Sequence, residues 1–95
     1  MKLATRRPSR HLLVCINRRP VTDPLGAGCA DRGDAVYREC KRLVSKHQAW
    51  GSHWVTRTYC LGQCPTVGTA ATLYPDGQVF TEVTEADIPN LLGLA

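Results

Sequence analysis

Five cysteines fall within 95 residues, and four of them are spaced in a way that has chemical meaning. Thirteen residues separate Cys15 from Cys29, thirty separate Cys29 from Cys60, and three separate Cys60 from Cys64. Soft thiolate sulfur selects zinc or iron–sulfur clusters over hard cations. Four thiolates gathered at one place can hold a tetrahedral ion, or a binuclear iron cluster that takes two thiolates per iron. Gly26, Gly28 and Gly62 neighbour these cysteines. Glycine lets backbone approach sulfur closely, where N–H donors raise the reduction potential of a bound cluster.

Other chemistries share parts of this set. Cys15–Cys29 and Cys60–Cys64 disulfides suit an oxidising compartment rather than a cytosolic chain. Zinc ribbons pair their ligands as Cys-x₂₋₄-Cys twice, and only Cys60 with Cys64 fits. A thiol–disulfide oxidoreductase wants Cys-x-x-Cys, which is absent, so Cys60 and Cys64 are its nearest substitute. A Rieske centre needs two His ligands, yet the residues two beyond each cysteine are Asn17, Asp31, Gly62 and Thr66. Cys40 stands apart on the apolar face of an expected helix and reads as a small buried hydrophobe. His11, His47 and His53 show no ligand or catalytic spacing. Ser9, Ser45 and Ser52 are the only serines, so there is no Gly-x-Ser-x-Gly nucleophile elbow, and no glycine-rich phosphate loop occurs.

The elements that must position the cysteines can be read in order. Residues 1–10 are polar and basic, a flexible tail, and residues 11–95 form a single domain. His11–Ile16 is a continuous apolar run, as in a strand buried on both faces. Asn17–Gly33, with two prolines and three glycines, is a long loop of the sort usually kept for function. A helix follows, capped by Asp31 or Asp34 and ended by Gly51. Its apolar face holds Val36, Cys40, Leu43, Val44 and His47. His53–Tyr59 reads as a second strand. Thr69–Tyr74 and Gln78–Val83 make a hairpin around Pro75-Asp76-Gly77. Thr84 to Asp87 resembles a capping box opening a short final helix through Leu92. Strand, helix, strand, hairpin, helix predicts an α/β fold: a small mixed sheet (β-α-β-β-β-α) flanked by helices, with thioredoxin-like architecture. Such sheets place their sites beyond the C-terminal ends of the parallel strands, where Cys15 and Cys60 fall.

Charge is divided along the chain. The net +4 splits into +6 over residues 1–19 and −2 over the remainder. A basic arm of this kind suits nucleic acid or an anionic surface, or is simply a solvated tail. Hydrophobic residues at 43% and charged residues at 21% exclude wholesale disorder. The longest aliphatic run, Leu12–Ile16, is far short of the roughly 20 residues that cross a bilayer. No apolar stretch of signal-peptide length follows Lys2, Arg6, Arg7 and Arg10. The expectation is a cytoplasmic protein that acts without a membrane.

These residues bring a family into view. Cys15-Ile-Asn-Arg-Arg-Pro, Gly28-Cys29, Arg32-Gly33, Cys60-Leu-Gly-Gln-Cys64 and Leu73-Tyr-Pro-Asp-Gly77 resemble the thioredoxin-like 2Fe–2S ferredoxins. They are also similar to the iron–sulfur domain of the small flavoprotein-arm subunit of NADH dehydrogenase and to related hydrogenase subunits. The likeness spans about residues 11–92. It implies that Cys15, Cys29, Cys60 and Cys64 bind a 2Fe–2S cluster. It also implies a one-electron carrier, not an enzyme, that serves redox protein partners alone or as a subunit of a larger oxidoreductase, frequently as a homodimer. Arg18, Arg19 and Arg32 would then offset the cluster's charge or dock an acidic partner. The first spacer is thirteen rather than twelve residues, which a loop absorbs, and Gly68-Thr69 stands where the family usually has Gly-Pro. The alternative functions are a zinc-stabilised or basic nucleic-acid or protein adaptor and a thiol–disulfide oxidoreductase.

Overall fold

The apolar run near the N-terminus forms the central strand of the sheet, β1 (Arg10–Cys15). The computed structural model describes the chain from Met1 to Ala95 except Val21 and Cys64. β2 (His53–Thr58) pairs with β1 in parallel, reached through helix α1 (Ala30–Lys46). β3 (Thr69–Tyr74) pairs antiparallel on the other side of β1, and β4 (Gln78–Val83) antiparallel beyond it, giving the order β2-β1-β3-β4. At the hairpin, Gly77 takes φ 71° and its amide donates to the Leu73 carbonyl at 2.8 Å. The Thr84 amide donates to Asp87 Oδ2 at 2.9 Å, closing the expected capping box. A 3₁₀ turn (Glu85–Asp87) then leads into α2 (Ile88–Leu92), whose first turn accommodates Pro89 because no helical bond needs its missing N–H.

Strand alternation decides what the helices cover. Leu12, Val14, Val55, Ala71 and Leu73 form one core with Val36, Cys40, Leu43 and Val44 of α1 and with Ile88 and Leu92 of α2. Leu12, Ile88 and Leu92 are wholly buried, each contributing about 1.5–3 kcal/mol. Leu13, Thr56, Thr72 and Val79 share one register row on the opposite face. Sequence alone predicts β1 buried on both faces. Instead Leu13 is only half-buried, because both helices pack against the same side.

Two boundaries differ from expectation for identifiable reasons. α1 starts at Ala30, ahead of Asp31 and Asp34, and neither aspartate caps it. Gly33 lies inside the first turn rather than breaking it: a Cβ there would sit 1.8 Å from the Cys15 carbonyl oxygen. The glycine is required by the close approach of helix to strand. At the other end α1 stops at Lys46, ahead of Gly51, and Gln48 turns the chain with φ 51°. Arg10, the last residue of the basic segment, joins β1 and donates from Nη1 to the Leu91 carbonyl at 2.7 Å. No helix among the described residues is long and apolar enough to cross a membrane.

Candidate metal centre

The topology delivers three of the four singled-out cysteines to one end of the sheet. Cys15 ends β1, Cys29 immediately precedes α1, and Cys60 follows the end of β2, the parallel partner of β1. Cys15 and Cys29 are 2% and 1% exposed and form, with Ala70 and half-buried Leu61, an apolar cluster separate from the main core. The Cys29 thiol and the charge of Cys60 both lie close enough to act on the Cys15 thiol. Cys60 itself is exposed. Cys64 lies outside the described residues.

Cys15 and Cys29 are not joined to each other by a disulfide. Burial pushes the Cys15 thiol up from its ordinary range; the Asn17 amide opposes this, while the Cys29 thiol and the charge of Cys60 reinforce it. Among the described residues, no group of three His, Cys, Asp or Glu side chains could by itself hold a metal ion. The donor set is therefore two adjoining buried thiols with a third near the surface.

Backbone detail around the sulfurs is built by glycines and by the loop folding on itself. The Gly62 amide donates to Cys60 Sγ at 3.3 Å, at φ 83°, the N–H···S contact expected of a glycine here. Gly28, also at positive φ, approaches backbone rather than sulfur: a Cβ would lie 2.1 Å from the Asn17 carbonyl oxygen. That same carbonyl accepts the Ala30 amide at 3.1 Å. Ala30 holds φ 42°, a strained conformation of the kind concentrated at functional sites. Thr69 Oγ1, fully buried, donates to the Cys15 carbonyl at 2.7 Å.

The three arginines do different things. Arg18 pairs with Asp31 in solvent. Arg19 bonds to the Gly26 carbonyl at 2.9 Å and the Leu25 carbonyl at 3.2 Å, closing the Cys29 loop. Arg32 bonds to three carbonyls in two loops. Reading them only as charges misses the last two roles. The one available signal was the Arg32-Gly33 pair set so soon after Cys29.

Cys40 is in the main core at 0% exposure, and burial pushes its thiol up to about 12. The histidines serve the fold. His53 Nε2 bonds to the Leu92 carbonyl at 2.9 Å, and His47 Nε2 to the Ala95 carbonyl at 2.7 Å. His11 Nε2 bonds to Thr56 Oγ1 at 2.7 Å, with its ring edge-on to Trp54.

No family model matches the chain, and no curated protein sequence does. Solved structures do. The wild-type thioredoxin-like [2Fe-2S] ferredoxin from Aquifex aeolicus is 26% identical, with a TM-score of 0.77 over 92% of this chain and 84% of that one. A further structure of a thioredoxin-like [2Fe-2S] ferredoxin from that organism is 27% identical, with a TM-score of 0.72 over 88% and 76% of the two chains. A single cysteine-to-serine variant of it aligns at 26% identity and a TM-score of 0.74, over 88% and 83%. In fold, and in sequence at 26–27% identity over most of its length, the chain is similar to these thioredoxin-like [2Fe-2S] ferredoxins.

Proposed function

We propose that this chain is a one-electron carrier that holds a 2Fe–2S cluster through Cys15, Cys29, Cys60 and Cys64. The observation that carries the reading is the adjoining, buried, unoxidised pair Cys15 and Cys29 with Cys60 beside it, in a fold shared with solved [2Fe-2S] ferredoxins. A bound cluster would supply the redox chemistry, cycling by one electron. The chain's own residues do the rest. Burial of Cys15 and Cys29 in an apolar cluster with Ala70 keeps water from half of the ligand set. The Gly62 amide presents a donor to the Cys60 sulfur, which favours added negative charge there. Exposure of Cys60 leaves one side of the site open to an electron-exchanging protein. In this reading the partners are redox proteins of the cytoplasm, and the chain transforms no substrate of its own.

The test is anaerobic reconstitution of the reduced protein with iron and sulfide, followed by the visible spectrum, the iron count and the paramagnetic resonance signal after reduction. We expect two irons and two sulfides per chain and a signal from one unpaired electron. Replacing Cys15, Cys29, Cys60 or Cys64 singly by Ala should sharply lower bound iron, because alanine offers no ligand atom and strips half of one iron's protein thiolates. Cys40→Ser should bind iron as the parent does. A colourless zinc-filled protein, or unchanged iron content in all four alanine variants, would overturn the reading.

A further inference from the structure

We propose that Arg32 is a positioning residue of the sulfur site, tying the two cysteine-bearing loops together before any metal binds. The proposal rests on the ligand reading given above. Arg32 lies in the first turn of α1, three residues past Cys29. Its Nη2 bonds to the Gly28 carbonyl at 3.2 Å, immediately ahead of Cys29. The same nitrogen bonds to the Pro65 carbonyl at 3.0 Å, and Nε bonds to the Gly68 carbonyl at 2.9 Å. These last two contacts join positions 33 and 36 apart in sequence. One guanidinium thus grips the residue before Cys29 and the residue after Cys64.

The chemistry explains why an arginine suits this place. A planar guanidinium offers five N–H donors in a fixed fork, so it can satisfy several carbonyls in set directions at once, whereas an ammonium is a compact charge on a flexible stem. No carboxylate among the described residues pairs with Arg32, so its donors go to backbone and its charge is not cancelled by an anion. The anchored points are themselves rigid. Gly28 is pressed against the Asn17 carbonyl, and Gly68, at φ 64°, is pressed against Val83, where a Cβ would lie 2.3 Å from the carbonyl oxygen. Arg32 therefore spans two fixed points and sets the separation of the loops that carry the thiols.

The experiment compares the parent with Arg32→Gln, Arg32→Lys and the surface control Arg42→Gln. In the reduced, metal-free protein, native-state alkylation of Cys29 and Cys40 is followed by mass spectrometry. Both thiols are buried, at 1% and 0% exposure, so Cys40 reports global opening and Cys29 local opening. In Arg32→Gln we expect Cys29 to react about tenfold faster while Cys40 keeps its parental rate, as loss of charge-assisted bonds on one loop implies. In the reconstituted protein, chelator removal of iron should accelerate about tenfold in Arg32→Gln, and by a smaller factor in Arg32→Lys. Arg42→Gln should match the parent throughout.

Parental rates in Arg32→Gln, equal acceleration at Cys29 and Cys40, or full rescue by Arg32→Lys would each overturn the proposal, the last because charge alone would then suffice. If Arg32→Gln does not fold, Arg32→Lys decides on the same readouts. If the parent takes up no iron and sulfide, the ligand reading fails. The alkylation rates of the metal-free protein still judge the clamp.

Discussion

Cys40 and the pair Cys15 and Cys29 are buried to the same extent, yet they sit in unlike surroundings. Cys40 is packed among Val36, Leu43 and Val44, the aliphatic side of α1. Cys15 and Cys29 cluster at a junction of strand, loop and helix, with Ala70 the only other fully buried side chain of that cluster among the described residues. Around Cys40 the space is filled by side chains in ordinary helix geometry. Around the pair, backbone and one hydroxyl close the space: Gly33 lies against the Cys15 carbonyl, Gly28 against the Asn17 carbonyl, and the Thr69 hydroxyl bonds to the Cys15 carbonyl. Burial alone therefore does not set the proposed ligand thiols apart from Cys40. A second thiol alongside, and backbone brought too close for any Cβ, do.

The strongest way to break this contrast is Gly33→Ala. Its added methyl would collide with the Cys15 carbonyl oxygen, displacing α1 from β1 beneath the thiols. Overpacking of this severity costs about 3 kcal/mol, read as a lower urea midpoint, with bound iron falling alongside.

A change of intermediate size belongs to the other region. Cys40→Ala should cost about 1–2 kcal/mol at neutral pH by leaving a small cavity, with iron content unchanged. Its pH dependence follows from linkage. The Cys40 thiol rises from 9.0 unfolded to about 12 folded, so its contribution is fully present below pH 9. Between those values the unfolded chain releases a proton that the folded chain keeps, which favours unfolding. The stability of the parent should therefore fall more steeply than that of Cys40→Ala from pH 9 to 12 in urea titrations. Parallel curves would show that the thiol is not held neutral by the core.

The smallest effect is expected at Thr69→Val, which removes a single buried hydrogen bond to the Cys15 carbonyl while keeping the shape of the side chain. The loss should be about 1 kcal/mol by urea denaturation. Chelator removal of iron should quicken modestly, whereas the alkylation rate of Cys40 should not change. A shift at Cys40 would mean that the two clusters are mechanically one.

Much was legible from residue order. The hairpin strands Thr69–Tyr74 and Gln78–Val83 fall where the alternation and the Pro-Asp-Gly turn put them, because a turn with these residues has few other conformations. The buried stripe Val36, Cys40, Leu43 and Val44 follows from helical periodicity alone. The four cysteines could be singled out because soft sulfur at a strand end has few structural uses. Less legible was anything that depended on how near two distant segments come. Gly33 reads as the end of a loop until β1 is seen to run against it, and Arg32 reads as a charge until three carbonyls are found around it. Leu13 reads as core until both helices are found on the opposite face.

The chain's own sequence determined the element types, their order and the cysteines proposed as sulfur donors, since these rest on local conformational preference and on side-chain chemistry. Only the tertiary structure decided which face the helices cover, which thiols adjoin and which arginine spans the loops, since those depend on distances between residues far apart in the chain.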